Sequence, residues 1–371
     1  MQTLTSQTAI PCIIMRGGTS KGAFFHSGDL PAEEGDRNRV LGAAMGGPDS
    51  LQIDGMGGGH PLSSKVAIIS QSSRDQTDVD YLFLQVNPYN GQVDSTQNCG
   101  NMLAAVGPFA IEQGMVRVEN SKTRVRVHML NSGKLCDLTV QTPRGQVEYE
   151  GEAGIDGVPG SGAPIVCDYL DVAGSATGAM LPTGRAVDSI DGIDVTLIDN
   201  GMPVVVIRAA DLDVRGDESP GDLESNEALI TAKESIRLQA GVLMGLGDVS
   251  AKTVPKVSLV SEAQHGGNLS TRTFIPHACH KAIGVLGAAS VATACLVPGS
   301  VAEGLARTPL KNSDGSIDFT VEHPSGSFQL RIRATSKNGK LQVLSVGVLR
   351  TARMLFRGQI LIPRSVWQGQ Q

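Results

Sequence analysis

With 371 residues, the chain is longer than one typical hydrophobic core, which predicts two domains. Its 45 glycines and its aromatic content of 4% predict many tight turns and cores of small and β-branched side chains. A net charge of −6 without any basic patch argues against a nucleic-acid-binding protein.

No apolar run reaches the roughly 18 residues that a membrane span requires. The polar start, Met1 to Thr8, lacks the charged and apolar regions of a signal peptide, so we expect a cytoplasmic protein that does not bind membranes. The six cysteines are scattered and include no Cys-x-x-Cys pair, which predicts neither a zinc site nor a disulfide framework.

The first apolar run, Ile10 to Met15, is followed by a glycine-rich turn, Gly17 to Gly22. This pattern predicts two strands joined by a turn, with Arg16, Ser20 and Lys21 placed to hold an anion. The spacing is not that of a Walker phosphate-binding loop, and a plain glycine turn explains it equally well.

A second glycine-rich loop, Gly55 to Gly59, leads into Ser64, Lys65 and the apolar run Val66 to Ile69, which predicts a buried strand. Most lysines are solvated surface charges. Lys65 differs because it stands directly before an apolar run, where partial desolvation would favour the neutral amine and allow it to act as a base.

Cys99 precedes an almost wholly apolar run, Met102 to Ile111, and is flanked by Asn98, Gly100 and Asn101. A helix that is apolar on every face must be buried, and the flanking residues are typical of helix starts. The free N–H groups and the dipole of such a helix end attract carboxylates and favour a thiolate. The stretch therefore predicts a reactive thiol beside an anion site.

From Arg124 onward strand patterns predominate, which places a domain boundary near residue 120. A second apolar helix is predicted at about residues 287–296, again after strands and a polar turn. The two helices indicate two similar halves, each a sheet wrapped around a helix.

Several motifs together resemble the PrpF family of cofactor-independent isomerases, across nearly the whole chain. They are Met15 to Gly22, Asp54 to Gly58, Ser64-Lys65, Asp78 to Phe83, Asn98 to Asn101 and His323 to Gly326. The resemblance implies an α+β fold like that of diaminopimelate epimerase, with two pseudo-symmetric domains, each a curled β-sheet or barrel around a central helix. The implied domains are residues 1–120 completed by 352–371, with Cys99 at the central helix, and residues 121–351, with the central helix near 287–296.

The resemblance also implies that Lys65 and Cys99 are the catalytic residues. The epimerases carry a second cysteine before the second helix, and here the nearest match places Leu286 at that position, which disfavours a two-cysteine racemase. The candidate substrate-binding residues are Arg16, Ser20, Ser64, Asn98, Gly100, Asn101, Arg272, His277, Gly287 and Ala288. For these residues a structural role is the alternative: Arg16 pairs with a local acid, or His277 is a hydrogen-bonded core histidine.

The implied activity is proton movement in an unsaturated tricarboxylic acid, without cofactor or metal. The segment Thr271 to His277 with Ile283 to Val285 resembles the 4-oxalomesaconate isomerases or tautomerases of gallate-type aromatic acid breakdown. The alternative within the family is 2-methylaconitate isomerase of propionate metabolism. Two other classes stay open: an amino-acid racemase and a non-catalytic binding protein for small acids. The sequence predicts a small-molecule partner and leaves the oligomeric state, a homodimer included, undetermined.

Overall fold

The protein is described by a computed structural model that covers residues 6–96, 98–313, 315–337 and 340–369. The chain forms two compact units. The first consists of Met1–Asp168 with Leu349–Gln371, and the second of Tyr169–Val348. No helix in the described residues is long and apolar enough to cross a membrane.

Strands make up most of the regular structure. In chain order they are β1 (Gln7–Gly17), β2 (Ser20–His26), β3 (Lys65–Gln71), β4 (Val79–Val86), β5 (Val93–Asp94), β6 (Ser121–Met129), β7 (Lys134–Thr142), β8 (Ile165–Leu170), β9 (Asp188–Ile190), β10 (Ile193–Asp199), β11 (Pro203–Arg208), β12 (Lys256–Ser261), β13 (Leu269–Ile275), β14 (Ala278–Cys279), β15 (Leu310–Lys311), β16 (Ile317–His323), β17 (Gly326–Lys337), β18 (Lys340–Arg350) and β19 (Ala352–Pro363). The α-helices are α1 (Glu34–Met45), α2 (Gly100–Glu112), α3 (Pro220–Glu224), α4 (Glu227–Leu243) and α5 (Val285–Ala294).

In the first unit the sheet alternates antiparallel and parallel pairings. β1 pairs antiparallel with β2, β2 parallel with β3, β3 antiparallel with β4, β4 parallel with β6, and β6 antiparallel with β7. β19 closes the other edge of β1 in antiparallel register. Helix α2 packs against β1 to β4, β6, β7 and β19, and all ten residues from Met102 to Ile111 are buried. The sheet is thus curled around α2, as an apolar helix requires.

The second unit repeats the same order of pairings. β10 pairs antiparallel with β11, β11 parallel with β12, β12 antiparallel with β13, β13 parallel with β16, and β16 antiparallel with β17. Helix α5 packs against β10, β11, β16 and β17, and its residues Gly287 to Ala294 are buried. The matched order confirms the predicted α+β fold with two pseudo-symmetric halves.

Strands β6 and β7 belong to the first unit, although the sequence-based division at residue 120 assigned them to the second domain. The physical reason is pairing: β6 extends the first sheet through parallel bonds to β4, with Val79 opposite Val127. Both strands also pack against α2. The pattern change at Arg124 marks the return of the chain to this sheet.

Candidate active site

The turn between β1 and β2 lies directly against the first turn of α2. Asn101 donates through Nδ2 to the hydroxyl of Thr19 at 2.9 Å. A Cβ on Gly17 would lie 2.3 Å from the carbonyl oxygen of Asn101, and one on Gly18 would lie 2.2 Å from Oδ1 of its side chain. Gly17 is therefore required by its close approach to the helix backbone, and Gly18 is favoured by its left-handed φ of 52° as well as by the contact with the Asn101 side chain.

Cys99 is the N-cap residue of α2, with extended backbone angles of φ −130° and ψ 98°. Within the described residues, no hydrogen bond from its side chain caps the helix, so the thiol is not used for that purpose. The buried Tyr81 on β4 fixes the backbone here, because its hydroxyl donates to the carbonyl oxygen of Cys99 at 3.3 Å. The first turn leaves the N–H groups of Gly100 and Asn101 without acceptors inside the helix, whereas Leu103 donates to Cys99.

Lys65 begins β3 and is 8% exposed. Its ammonium group donates to Oε1 of Gln85, directly opposite on β4, at 2.7 Å. The Nζ atom also lies 5.0 Å from the centre of the Phe83 ring. Gly22 connects this lysine to α2: a Cβ there would meet both the Lys65 carbonyl at 2.3 Å and the Met102 methyl at 2.6 Å. The start of β3 and the first turn of α2 therefore converge on Gly22.

Ser64 is fully buried, and its hydroxyl donates to Oε1 of Gln52. The same oxygen accepts from the N–H of Gly59 at 3.0 Å. Gln52 is itself 1% exposed and packs against Gly57, where a Cβ would clash with its amide. This amide thereby anchors the glycine-rich loop before Lys65. The predicted contact of Ser64 with substrate stays a prediction.

Arg16 and Ser20 flank the β1–β2 turn. The guanidinium of Arg16 donates through Nη1 to the carbonyl oxygens of Gly18 and Thr351 at 3.0 and 2.9 Å, and to the Thr351 hydroxyl at 3.0 Å. Burial and the nearby Arg353 lower the pKa of Arg16. The hydroxyl of Ser20 is 2% exposed and finds no hydrogen-bond partner among the described residues. Such an orphaned hydroxyl is a donor available to a ligand.

Asn98 is exposed and lies just before α2, outside regular structure. The first unit thus brings Arg16, Ser20, Lys65, Cys99 and the N–H groups at the start of α2 to one end of its sheet. The N–H and hydroxyl donors of this set can bind an anion, and the amine and the thiol can accept or donate a proton.

In the second unit, Arg272 on β13 is 8% exposed and bonded to protein carbonyls. It donates to the carbonyl oxygens of Glu218 and Thr271 at 2.8 and 2.9 Å. Burial lowers the pKa of Arg272. These bonds give the side chain a structural role, and its contact with substrate stays a prediction.

His277, in the turn between β13 and β14, is exposed, with its Nδ1 3.7 Å from Oε2 of Glu234 on α4. The neighbouring turn is fastened by Lys233, which is fully buried and donates to the carbonyl oxygen of Pro276 at 2.9 Å. Burial is the main cause that lowers the pKa of Lys233. His277 is therefore not a core histidine, and its binding role stays a prediction.

Helix α5 begins two residues earlier than expected from the match of Leu286 with the second cysteine of the epimerases. Its N-cap is Gly284, which corresponds to Cys99 at α2, whereas Leu286 lies inside the first turn. Neither residue is a cysteine, so no thiol starts the second central helix. Gly287 is buried in the first turn, and the N–H of Ala288 donates to Gly284 at 2.8 Å within the helix. Ala288 therefore has no N–H left for a ligand, because the helix begins two residues earlier than the alignment assumed.

The six cysteines are free, and only Cys99 and Cys295 are partly exposed. Burial raises the pKa of Cys295 to about 12. In the part of the chain that the structure describes, no three His, Cys, Asp or Glu side chains come close enough to hold a metal ion.

Sequence reasoning missed four residues that support the site: Gln52, Tyr81, Phe83 and Gln85. Gln85 is the most informative, because it interrupts the apolar end of β4 just before a turn. A polar residue within the apolar run Leu82 to Val86 is the available signal, since a polar group there needs a hydrogen-bond partner.

Comparison of the sequence with models of protein families identifies the family of this chain. The family model described as PrpF protein matches residues 7–363. The chain belongs to the PrpF family. The prediction made from the sequence motifs is therefore confirmed over nearly the whole chain.

Relatives within the PrpF family carry isomerase or tautomerase names. The chain is 53% identical to 4-oxalomesaconate tautomerase of Pseudomonas putida over 98% of this chain and 99% of that protein. It is 50% identical to (4E)-oxalomesaconate Delta-isomerase of Novosphingobium sp., over 95% and 97%. The crystal structure of methylitaconate-delta-isomerase superposes with a TM-score of 0.89 at 33% identity, covering 98% of this chain and 97% of that one. The predicted enzyme class, an isomerase, agrees with these relatives.

Proposed function

We propose that this protein isomerises 4-oxalomesaconate by moving one proton, with Lys65 and Cys99 as the proton-handling pair. The observation that carries the proposal is the environment of Lys65: an 8% exposed amine, held by a neutral amide, at the same end of the first unit as the start of α2. A general base in a cofactor-independent isomerase needs this kind of partly desolvated, fixed position.

The choice of substrate rests on the relatives. The two relatives named for oxalomesaconate are 53% and 50% identical to this chain, whereas the methylitaconate isomerase is 33% identical. The identity gradient therefore favours the oxalomesaconate branch over the other unsaturated acids of the family.

The proposed reaction removes a hydrogen as a proton from a carbon next to a conjugated double bond. The C–H electron pair then delocalises into an extended enolate, and a proton is returned at the distal carbon or oxygen. One of Lys65 and Cys99 accepts the first proton, and the second proton comes from the other residue or from the same one. The double bond shifts without any change in oxidation state, so no external oxidant or reductant is required.

A substrate carboxylate is proposed to bind at the start of α2. The N–H groups of Gly100 and Asn101 have no acceptor inside the helix, and the buried hydroxyl of Ser20 lacks a partner among the described residues. Donors held in place beforehand would also stabilise the enolate that forms. Arg16, Ser64, Asn98, Arg272, His277 and Gly287 remain predicted contacts.

The runner-up substrate is 2-methylaconitate, which offers the same chemistry. A non-catalytic binding protein for small acids is disfavoured, because it gives no reason for a thiol at the helix start or for an amine held over Phe83. The partner is thus proposed to be a small tricarboxylate.

The test follows turnover and solvent exchange of oxalomesaconate and 2-methylaconitate by NMR in deuterated water. Lys65→Met and Cys99→Ser should each lose activity by ~10²- to 10⁴-fold, as is typical for a general acid or base. The matched controls are the exposed Lys122→Met and the helix-end Cys295→Ser, which should keep wild-type rates.

Near-wild-type rates in both catalytic variants would overturn the assignment of the pair. Faster turnover of 2-methylaconitate than of oxalomesaconate would identify a 2-methylaconitate isomerase instead. Tight binding without proton exchange would instead identify a binding protein.

A further inference from the structure

We propose that Gln85 is the positioning residue for Lys65, a neutral acceptor that keeps Nζ in place while the amine gains and loses a proton. This inference rests on the proposed function, since it concerns the amine proposed to accept or return a proton. No role for Gln85 follows from the sequence motifs.

The two residues face each other across the β3–β4 pair. Lys65 and Gln85 are direct register partners, and the Nζ–Oε1 distance is 2.7 Å. The Nζ atom also lies over an aromatic ring, with the Phe83 ring centre 5.0 Å away. Among the described residues, the amide oxygen of Gln85 is the hydrogen-bond acceptor recorded for Nζ of Lys65.

Neighbouring carbonyl groups fix the orientation of the amide. Its Nε2 donates to the carbonyl oxygens of Ser64 at 2.9 Å and Pro61 at 3.1 Å, with a longer contact of 3.4 Å to Val86. Carbonyl oxygens only accept hydrogen bonds, so they must face the NH₂ side of the amide. The Oε1 atom is consequently directed at Lys65, and a flipped amide would place oxygen against three oxygens.

The neutrality of Gln85 matters for a group that changes charge. An amide oxygen accepts a hydrogen bond from an ammonium and from a neutral amine alike, so Nζ is held in both states. A carboxylate at the same place would stabilise the ammonium strongly and oppose its deprotonation. Gln85 therefore gives position without fixing the charge.

On the paired strands, Lys21 and Asp94 are charged residues near the Lys65 end of β3, whereas Asp80 on β4 stands opposite Ser70 near its other end. Lys21 precedes Gly22, the partner of Lys65 on β2, and Asp94 lies opposite Gln85 on β5. Cys99 begins α2, the helix whose Met102 approaches Gly22. Asp94 already accepts from the N–H of Thr96 at 2.8 Å.

The decisive experiment is the pH dependence of kcat in Gln85→Glu. One carboxylate oxygen takes the place of Oε1 beside Nζ, while the other loses the bonds that Nε2 donated to Ser64 and Pro61. The added negative charge should favour the ammonium form of Lys65, so the limb of the profile that reports Lys65 should move upward by about one to three pH units. The matched control is Gln71→Glu, which adds the same charge at the exposed far end of β3, roughly 20 Å away. That control should leave the limb unmoved.

A second variant, Gln85→Met, removes the acceptor at similar volume. We expect kcat to fall by ~10- to 100-fold with KM nearly unchanged, because a displaced base slows proton transfer without weakening carboxylate binding. The position of a pH limb does not depend on the amount of folded enzyme, so Gln85→Glu remains informative if Gln85→Met folds poorly.

An unshifted limb in Gln85→Glu, equal to that of Gln71→Glu, would overturn the inference. The proposed function fails in a different way, through full activity of Lys65→Met. An inactive Lys65→Met combined with an unshifted Gln85→Glu would retain the function and reject only the role of Gln85.

Discussion

Asn101, in the first turn of α2, donates through its side-chain Nδ2 to the hydroxyl of Thr19 in the β1–β2 turn at 2.9 Å. Its Oδ1 accepts from Nε of Arg350 at 3.2 Å, so the same amide joins three parts of the first unit. The helix start that carries Cys99 is therefore held by side-chain bonds as well as by the buried helix.

Removal of the Asn101 side-chain amide should displace the first turn of α2. We expect Asn101→Ala to lower kcat by ~10- to 100-fold, because small displacements of reacting groups are costly. Steady-state kinetics checks this, with Asn90→Ala as control, since Asn90 is exposed and its side chain bonds to Gln92, two residues away. Equal kinetics for the two variants would show that Asn101 does not position the site.

Gly17 should tolerate no side chain. An added methyl group would lie 2.3 Å from the backbone oxygen of Asn101, and backbone cannot move aside as a flexible side chain can. We expect Gly17→Ala to lower the free energy of unfolding by about 1–3 kcal/mol, as overpacking does. Urea unfolding measures the loss, and Gly154→Ala is the control because a methyl group added there would meet nothing within 4 Å. Similar unfolding midpoints for both would contradict the close approach.

Cys99 should be the cysteine that alkylating reagents modify first. Burial raises the pKa of Cys12 and Cys279 to about 11 and that of Cys167 and Cys295 to about 12, and it raises the pKa of Cys136 well above its usual range. These five stay protonated at pH 8, whereas the reactive form is the thiolate. Peptide mass spectrometry after brief iodoacetamide treatment should find Cys99 labelled in parallel with loss of activity.

The partly exposed Cys295 serves as the internal control for access. Labelling of Cys295 at the same rate as Cys99 would contradict the expectation. A bound tricarboxylate should slow the labelling of Cys99 alone.

The stability of the second unit should depend on pH through Glu234. The hydrogen bonds from the fully buried Arg237, at 2.8 and 2.7 Å, hold the pKa of this carboxyl below its ordinary value of 4.5. A lowered folded-state pKa gives stability that is fully present above the ordinary value and is lost as the pH falls through the lowered one. Glu234→Gln should therefore cost on the order of 3 kcal/mol at pH 7, and the difference from wild type should shrink below about pH 4.

Urea unfolding from pH 7 to pH 3 measures this difference. The control is Asp217→Asn, which removes the exposed pair with Arg215, and we expect its unfolding curve to follow that of the wild type at every pH because solvent screens this pair. A pH-independent difference between wild type and Glu234→Gln would show that the carboxylate charge is not involved.

Local patterns were sufficient for the elements that carry the chemistry. The apolar run after Cys99 predicted a buried helix, and Gly100–Glu112 is that helix. The apolar run after the Gly55 to Gly59 loop predicted a buried strand, and β3 starts at Lys65. Both follow from hydrophobic periodicity and from flanking turn residues, which act over a few positions.

Local sequence patterns did not predict contacts between residues that are far apart in the sequence. The anion-binding role of Arg16 stays a prediction, but no local pattern predicted its bond to Thr351, 335 residues away. The boundary near residue 120 failed to group β6 with the first unit for the same reason: its partner strand β4 is distant in sequence. Side chains at long sequence separation meet through sheet register, which no local pattern encodes.

The sequence by itself determined where the reactive groups stand along the chain: an amine at the start of a buried strand and a thiol at the start of a buried helix. Composition and periodicity decide such placements because burial of apolar side chains drives them. Only the tertiary structure decided what those groups face. The β3–β4 register sets Gln85 against Lys65, and the close approach at Gly17 and Gly22 brings the β1–β2 hairpin against the start of α2. These contacts come from strand pairing and close packing between distant segments, which are properties of the folded chain as a whole.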